Sequence, residues 1–66
     1  MRIRINGQWE EFSDALSVAE LLASRRLQPR RVAVELNRRI VPRACYGETR
    51  LCENDALEIV TLVGGG

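Results

Sequence analysis

The residues with the clearest chemical use are three glycines, Gly64-Gly65-Gly66, which end the chain after the β-prone run Leu57 to Leu62. Glycine has no Cβ, so its backbone approaches other surfaces closely. A terminal glycine also presents an unhindered carboxylate. Extended residues advance about 3.3–3.6 Å each, which gives Val63 to Gly66 a reach of roughly 13–14 Å. Residues 64–66 are therefore expected to form a flexible tail that ends in the carboxylate of Gly66. Two thiols, Cys45 and Cys52, form neither a CxxC motif nor a disulfide framework. One partly buried thiol and one incidental surface thiol are expected, in preference to a sulfur relay. The chain has no His. That removes the usual general base and the commonest metal ligand, and no cofactor or metal is expected to bind this chain.

The elements that position this tail must come from a short chain. Its 66 residues suit one domain, residues 1–63, with the glycines beyond it. A domain of this size buries only about 60% of the surface its unfolded chain exposes. It has little room for a deep catalytic pocket, so function is expected on a surface or a terminus and the chain is not expected to be an enzyme. Ten Arg face nine Asp and Glu, for a net charge of +1, too neutral for strong non-specific nucleic-acid binding. Trp9 could stack on a base, but one aromatic on an edge hairpin is more often used in packing. Arg38, Arg39 and Arg43 read either as a partner-facing basic patch or as a solvated turn. The start MRIRING lacks the apolar run of a signal peptide. No apolar stretch approaches the roughly 20 residues of a membrane span. A cytoplasmic, reducing location is the expectation, with free thiols and a monomeric chain.

Ile3 and Ile5 alternate with Arg2 and Arg4, the period of a half-buried strand. Asn6-Gly7 is a strong hairpin signal, because a type I′ turn requires positive φ at both central positions. Gln8 to Phe12 reads as the return strand. Ser17-Val18-Ala19-Glu20 is a capping box, and Val18, Leu21 and Leu22 then share one helical face. Arg25 and Arg26 suit the negative end of a helix dipole, which places the helix over Val18 to Arg26, before Pro29. Val32, Val34 and Leu36 alternate as a third strand. Asn37-Arg38-Arg39 turns the chain into a short strand, Ile40-Val41, that Pro42 ends. Arg43 to Tyr46 reads as irregular or a single helical turn, and Glu53-Asn54-Asp55 as a turn. The final strand runs from Leu57 to Leu62. The order is hairpin, helix, strand, short strand, strand, with the first and last strands side by side. It predicts an α+β β-grasp, a mixed sheet of four or five strands curled around one helix. The expected inward set is Ile3, Ile5, Val18, Leu21, Leu22, Val32, Val34, Leu36, Leu57 and Ile59. Val60 and Leu62 then point away from the helix, since strand faces alternate. They form an apolar docking patch beside the tail.

Several of these stretches together carry a resemblance. Val32-Ala33-Val34-Glu35-Leu36-Asn37, Ile40-Val41-Pro42-Arg43, Asp55, Leu57-Glu58-Ile59-Val60 and Leu62-Val63-Gly64-Gly65-Gly66 resemble the sulfur-carrier proteins of thiamine biosynthesis, the ThiS family. The likeness covers essentially the whole chain. It departs at Glu53-Asn54-Asp55, where the family usually has Asp-Gly-Asp, and at Tyr46, near where it usually has Trp. Asn tolerates left-handed φ, so the turn is expected to survive.

The resemblance implies a ubiquitin-like fold and a carrier role. It implies that a ubiquitin-activating-like adenylating enzyme uses ATP and Mg²⁺ to adenylate Gly66. A sulfur donor, a persulfide enzyme, displaces AMP and leaves a thiocarboxylate, which thiazole synthase consumes. Val60, Leu62, Val63, Gly64 and Gly65 are then the partner-binding residues. Other readings stay open on the residues alone. They are sulfur delivery to molybdopterin, cysteine or tRNA thiolation, a protein modifier attached through its C-terminus, and a β-grasp regulatory or RNA-binding module. The glycine tail argues against the last.

Overall fold

The computed structural model describes residues 1–62. The site residues expected at Val63, Gly64, Gly65 and Gly66 lie outside the described residues. Six regular elements follow one another: β1 (Arg2–Ile5), β2 (Gln8–Glu11), α1 (Val18–Ser24), β3 (Val32–Leu36), β4 (Arg39–Ile40) and β5 (Ala56–Thr61). Short 3₁₀ turns occupy Pro29–Arg31 and Arg43–Cys45. The strands form one five-stranded sheet in the order β2-β1-β5-β3-β4. β1 and β5 run parallel in its middle, and the other pairs are antiparallel. This is the mixed sheet around one helix that the order of elements predicts.

Turn chemistry accounts for both hairpins. Asn6 and Gly7 have φ of 49° and 85°, so the β1–β2 turn has the positive φ at both centres that a type I′ turn requires. Asn37 and Arg38 repeat this between β3 and β4, at φ of 52° and 70°. β4 consequently begins at Arg39, one residue before the strand expected over Ile40-Val41. Asn54 also adopts φ of 70°, so the Glu53-Asn54-Asp55 turn forms without a glycine.

The helix is capped at both ends. Ser17 Oγ accepts from the Glu20 N–H, and a Glu20 carboxylate oxygen accepts from the Ser17 N–H, completing the capping box. The two remaining orphan donors of the first turn go to the loop that follows Pro42: the Val18 N–H to the Thr49 carbonyl and the Ala19 N–H to the Tyr46 carbonyl. The C-terminus departs from expectation. The helix stops at Ser24, and Arg26 takes a left-handed φ of 60°. The Leu27 N–H bonds the Leu22 carbonyl and the Arg26 N–H bonds the Ala23 carbonyl, which is a Schellman ending. Arg26 thus sits outside the helix in a place usually held by Gly, and no glycine marks the stop in the sequence. Arg25 caps the helix and pairs with Glu10 on β2 instead of serving the dipole.

The core is Ile3, Ile5, Val18, Leu21, Leu22, Val32, Val34, Val41, Tyr46, Leu51 and Leu57. Eight of these are in the expected inward set. Leu36 and Ile59, also expected inside, are half-buried and pack against the core from its margin. Val41, Tyr46 and Leu51 come instead from the long connection between β4 and β5. That connection is tied to the helix start by the bonds above and by a bridge between Ser17 and Arg50, so its apolar side chains fold inward.

Candidate functional site

β5 is the element that leads to the glycines, and it has two different faces. Leu57 is fully buried and Ile59 is half-buried. Glu58, Val60 and Leu62 face the other way, with Val60 58% and Leu62 43% exposed. The strand phase expected for Val60 and Leu62 therefore holds. Register builds the rest of the outer face: Val60 lies opposite Ala33, Glu58 opposite Glu35, and Glu35 opposite Ile40. Ile40 is 76% exposed. The result is an apolar surface of Val60, Leu62, Ala33 and Ile40 around two neighbouring carboxylates, Glu35 and Glu58. Sequence reasoning missed Ile40 as part of it. The signal was present: successive residues of an extended segment face opposite ways, so the apolar pair Ile40-Val41 must turn one side chain outward, and Val41 is the buried one.

β3 secures this face close to the tail. It pairs with β5 as far as Val32 opposite Thr61, and the Leu62 N–H continues the bonding to the Arg31 carbonyl at 2.8 Å. Leu62 is thus fixed in place immediately before Val63. Single exposed apolar residues are ordinary on a protein surface. Several adjoining ones on one rigid face are a feature of interaction sites.

The remaining candidates fall elsewhere. Trp9 is 47% exposed, so it is not core packing. Arg2 lies over its ring at 4.3 Å from the centroid and Arg4 at 5.9 Å. An exposed cation–π contact of this kind contributes about 0.5–1 kcal/mol. Arg38 and Arg39 are exposed turn and edge residues, while Arg43 Nη2 donates to the Arg30 carbonyl at 3.4 Å. These three arginines do not converge on Val60 and Leu62 through any hydrogen bond or ion pair among the described residues. Cys45 is half-buried and Cys52 exposed, and both are free thiols, as expected of one partly buried and one surface thiol. No group of three or more His, Cys, Asp or Glu among the described residues is placed to hold a metal ion. No helix among them is long and apolar enough to cross a membrane.

Comparison with known proteins gives consistent results. The model of the ThiS family matches residues 3–66. The sulfur carrier protein ThiS of Bacillus subtilis is 39% identical, over 97% of this chain and 98% of that protein. A thiazole synthase of Paramagnetospirillum magneticum is 41% identical over the whole of this chain. This chain spans about a fifth of that protein's length, 20% of it. Among solved structures, a crystal structure of a thiamine biosynthesis protein (ThiS) from Geobacter metallireducens superposes with a TM-score of 0.85 at 32% identity. The match covers all of both chains.

Proposed function

The chain belongs to the ThiS family, and from that premise we propose that it is a sulfur carrier for thiamine biosynthesis whose reacting group is the Gly66 carboxylate. A carboxylate is a poor electrophile and resists attack by sulfur. An adenylating partner with ATP and Mg²⁺ converts it to an acyl adenylate, with pyrophosphate released. The outer sulfur of a persulfide donor then displaces AMP to give an acyl disulfide. A thiol reductant cleaves its S–S bond, leaving the terminus as a thiocarboxylate and the donor sulfur in a disulfide with that thiol. The carrier contributes the acyl group and a docking face, and the partners contribute the acid, base and metal chemistry. The recipient is thiazole synthase. A region matching this whole chain occurs within a relative of that name, which supports pairing the two activities.

The observation that carries the reading is the face of β5. The strand that leads to the glycines exposes Val60 and Leu62 on the side away from the core. A partner seated there would have the terminus within a reach of roughly 13–14 Å of the contact. The direct test incubates the chain with an adenylating enzyme, ATP, Mg²⁺, a persulfide donor and a thiol reductant, and follows its intact mass. Replacement of one carboxylate oxygen by sulfur is the expected shift. An unchanged mass alongside full loading of the Bacillus subtilis protein would reject the assignment.

Docking has its own prediction. Leu62→Asp places a charge that water solvates in the free protein but that a complex must desolvate. Binding to the adenylating partner is expected to weaken by at least tenfold, about 1.4 kcal/mol, with the melting temperature close to that of the parent. A binding titration and a thermal melt measure the two. Collapse of the fold would mean that Leu62 contributes to the core.

A further inference from the structure

The end of β1 leaves a gap in the ladder that supports β5. β1 stops at Ile5, and the chain turns away at Asn6-Gly7. The last main-chain bond on this side runs from the Asn6 N–H to the Leu57 carbonyl, at 2.9 Å. β5 nevertheless continues to Thr61. The next backbone groups facing the gap belong to Ile59, and the Asn6 side chain takes both of them. Its Oδ1 accepts from the Ile59 N–H at 2.7 Å, and its Nδ2 donates to the Ile59 carbonyl at 3.1 Å. One side-chain amide thus copies the donor and acceptor of the strand residue that is missing.

The turn does not account for this choice of residue. Asp or Gly would serve at the first centre of a type I′ turn as Asn does. Only Asn combines tolerance of positive φ with both a donor and an acceptor at this reach. A second asparagine treats the other end of β5 in a related way: Asn37 Oδ1 accepts from the Ala56 N–H at 3.0 Å. The Asn6 bonds are exposed, so burial of apolar surface does not explain them. They hold the strand three residues short of Leu62, on the side that β3 does not touch.

We propose that Asn6 is a positioning residue: its amide clamp on Ile59 fixes the direction in which β5 delivers the chain toward Gly66. The proposal rests on the carrier reading above, in which the reacting carboxylate must reach a partner's active centre. With β3 alone holding Val60 to Leu62, docking survives but the lead-in pivots about the β3 edge. Misplacement of a reacting group by about 1 Å can cost on the order of 10²-fold in rate. The loss is therefore expected in kcat and not in KM.

The test uses the full chain as substrate of an adenylating enzyme, with AMP formation measured against carrier concentration. Asn6→Gly keeps the turn and removes both bonds. Its expected signature is a fall in kcat of about tenfold with KM within about twofold, together with lost exchange protection of the Ile59 amide. Asn6→Asp keeps an acceptor for the Ile59 N–H but sets a carboxylate against the Ile59 carbonyl. Its kcat relative to the parent should recover as the pH is lowered and the carboxyl regains a donor. Rates are compared well below each variant's melting temperature. An unchanged kcat in Asn6→Gly, despite a deprotected Ile59 amide, would overturn the proposal. So would an Asp variant whose deficit ignores pH. Failure of the parent chain to be activated would instead reject the carrier reading.

Discussion

Adding one residue after Gly66 is expected to abolish sulfur loading while leaving the domain as stable as the parent. The addition converts the Gly66 carboxylate into an amide, which cannot form an acyl adenylate, and the new carboxylate lies about 3.3–3.6 Å too far out. Deleting Gly66 preserves a glycine terminus but shortens the reach by the same amount, several times the displacement of about 1 Å that can cost on the order of 10²-fold in rate. Gly65→Val isolates a different requirement, since it keeps the carboxylate but adds a branched side chain that would obstruct entry if the proposed partner admits the tail through a narrow channel. All three should melt like the parent, because the core residues lie between Ile3 and Leu57. AMP formation and intact mass are the readouts. Normal loading of the extended variant, with no trimming of the added residue, would exclude a C-terminal carrier mechanism.

Local chemistry made much of this fold legible. The capping box at Ser17, the turn pair Asn6-Gly7 and the alternation of Ile3 and Ile5 each impose one geometry, and each occurs as the pattern demands. The outer position of Val60 and Leu62 was legible for the same reason: a period of two leaves no third face. The misses share a different cause. Arg26 ends the helix in a left-handed conformation that arginine only tolerates, so tertiary packing of Leu27 against the core decides the stop where no glycine announces it. Val41, Tyr46 and Leu51 sit in a segment of little regular structure. Tyr46 and Leu51 are held by long-range bonds to Ala19 and Leu16 at the helix start, and Val41 by its N–H bond to the Val34 carbonyl on β3, which no periodicity encodes. The Asn6 clamp spans 53 residues in sequence. It was visible as a turn residue and not as a partner of Ile59. Trp9 resisted reading because an exposed ring under two arginines and a packed ring look alike in a short strand.

The second large effect concerns the inner face of β5. Leu57→Ala is expected to destabilise the domain by roughly 2–5 kcal/mol, the range for buried Leu→Ala changes. Leu57 is 0% exposed. It lies beside Ile5 on β1 and Leu36 on β3, in the central strand of the sheet. Little can collapse into the space it leaves, because strands on both sides hold the backbone. At about 0.05–0.15 kcal/mol per residue, a chain of this length has roughly 3–10 kcal/mol of total stability, so the loss is a large fraction of the whole. A change of 1 kcal/mol moves the melting temperature of a small domain by about 4–8 °C, and a fall of at least about 8 °C is therefore expected by circular dichroism. The functional consequence differs in kind from that of the tail variants. Leu57→Ala keeps the carboxylate, the glycines and the outer residues Val60 and Leu62, so loading should return as the temperature is lowered below the new midpoint. The extended chain should stay inactive at every temperature. A Leu57→Ala protein that melts within a degree or two of the parent would place this residue outside the core. The assignment of Val60 and Leu62 to a docking face would fall with it, since both rest on the same alternation along one strand.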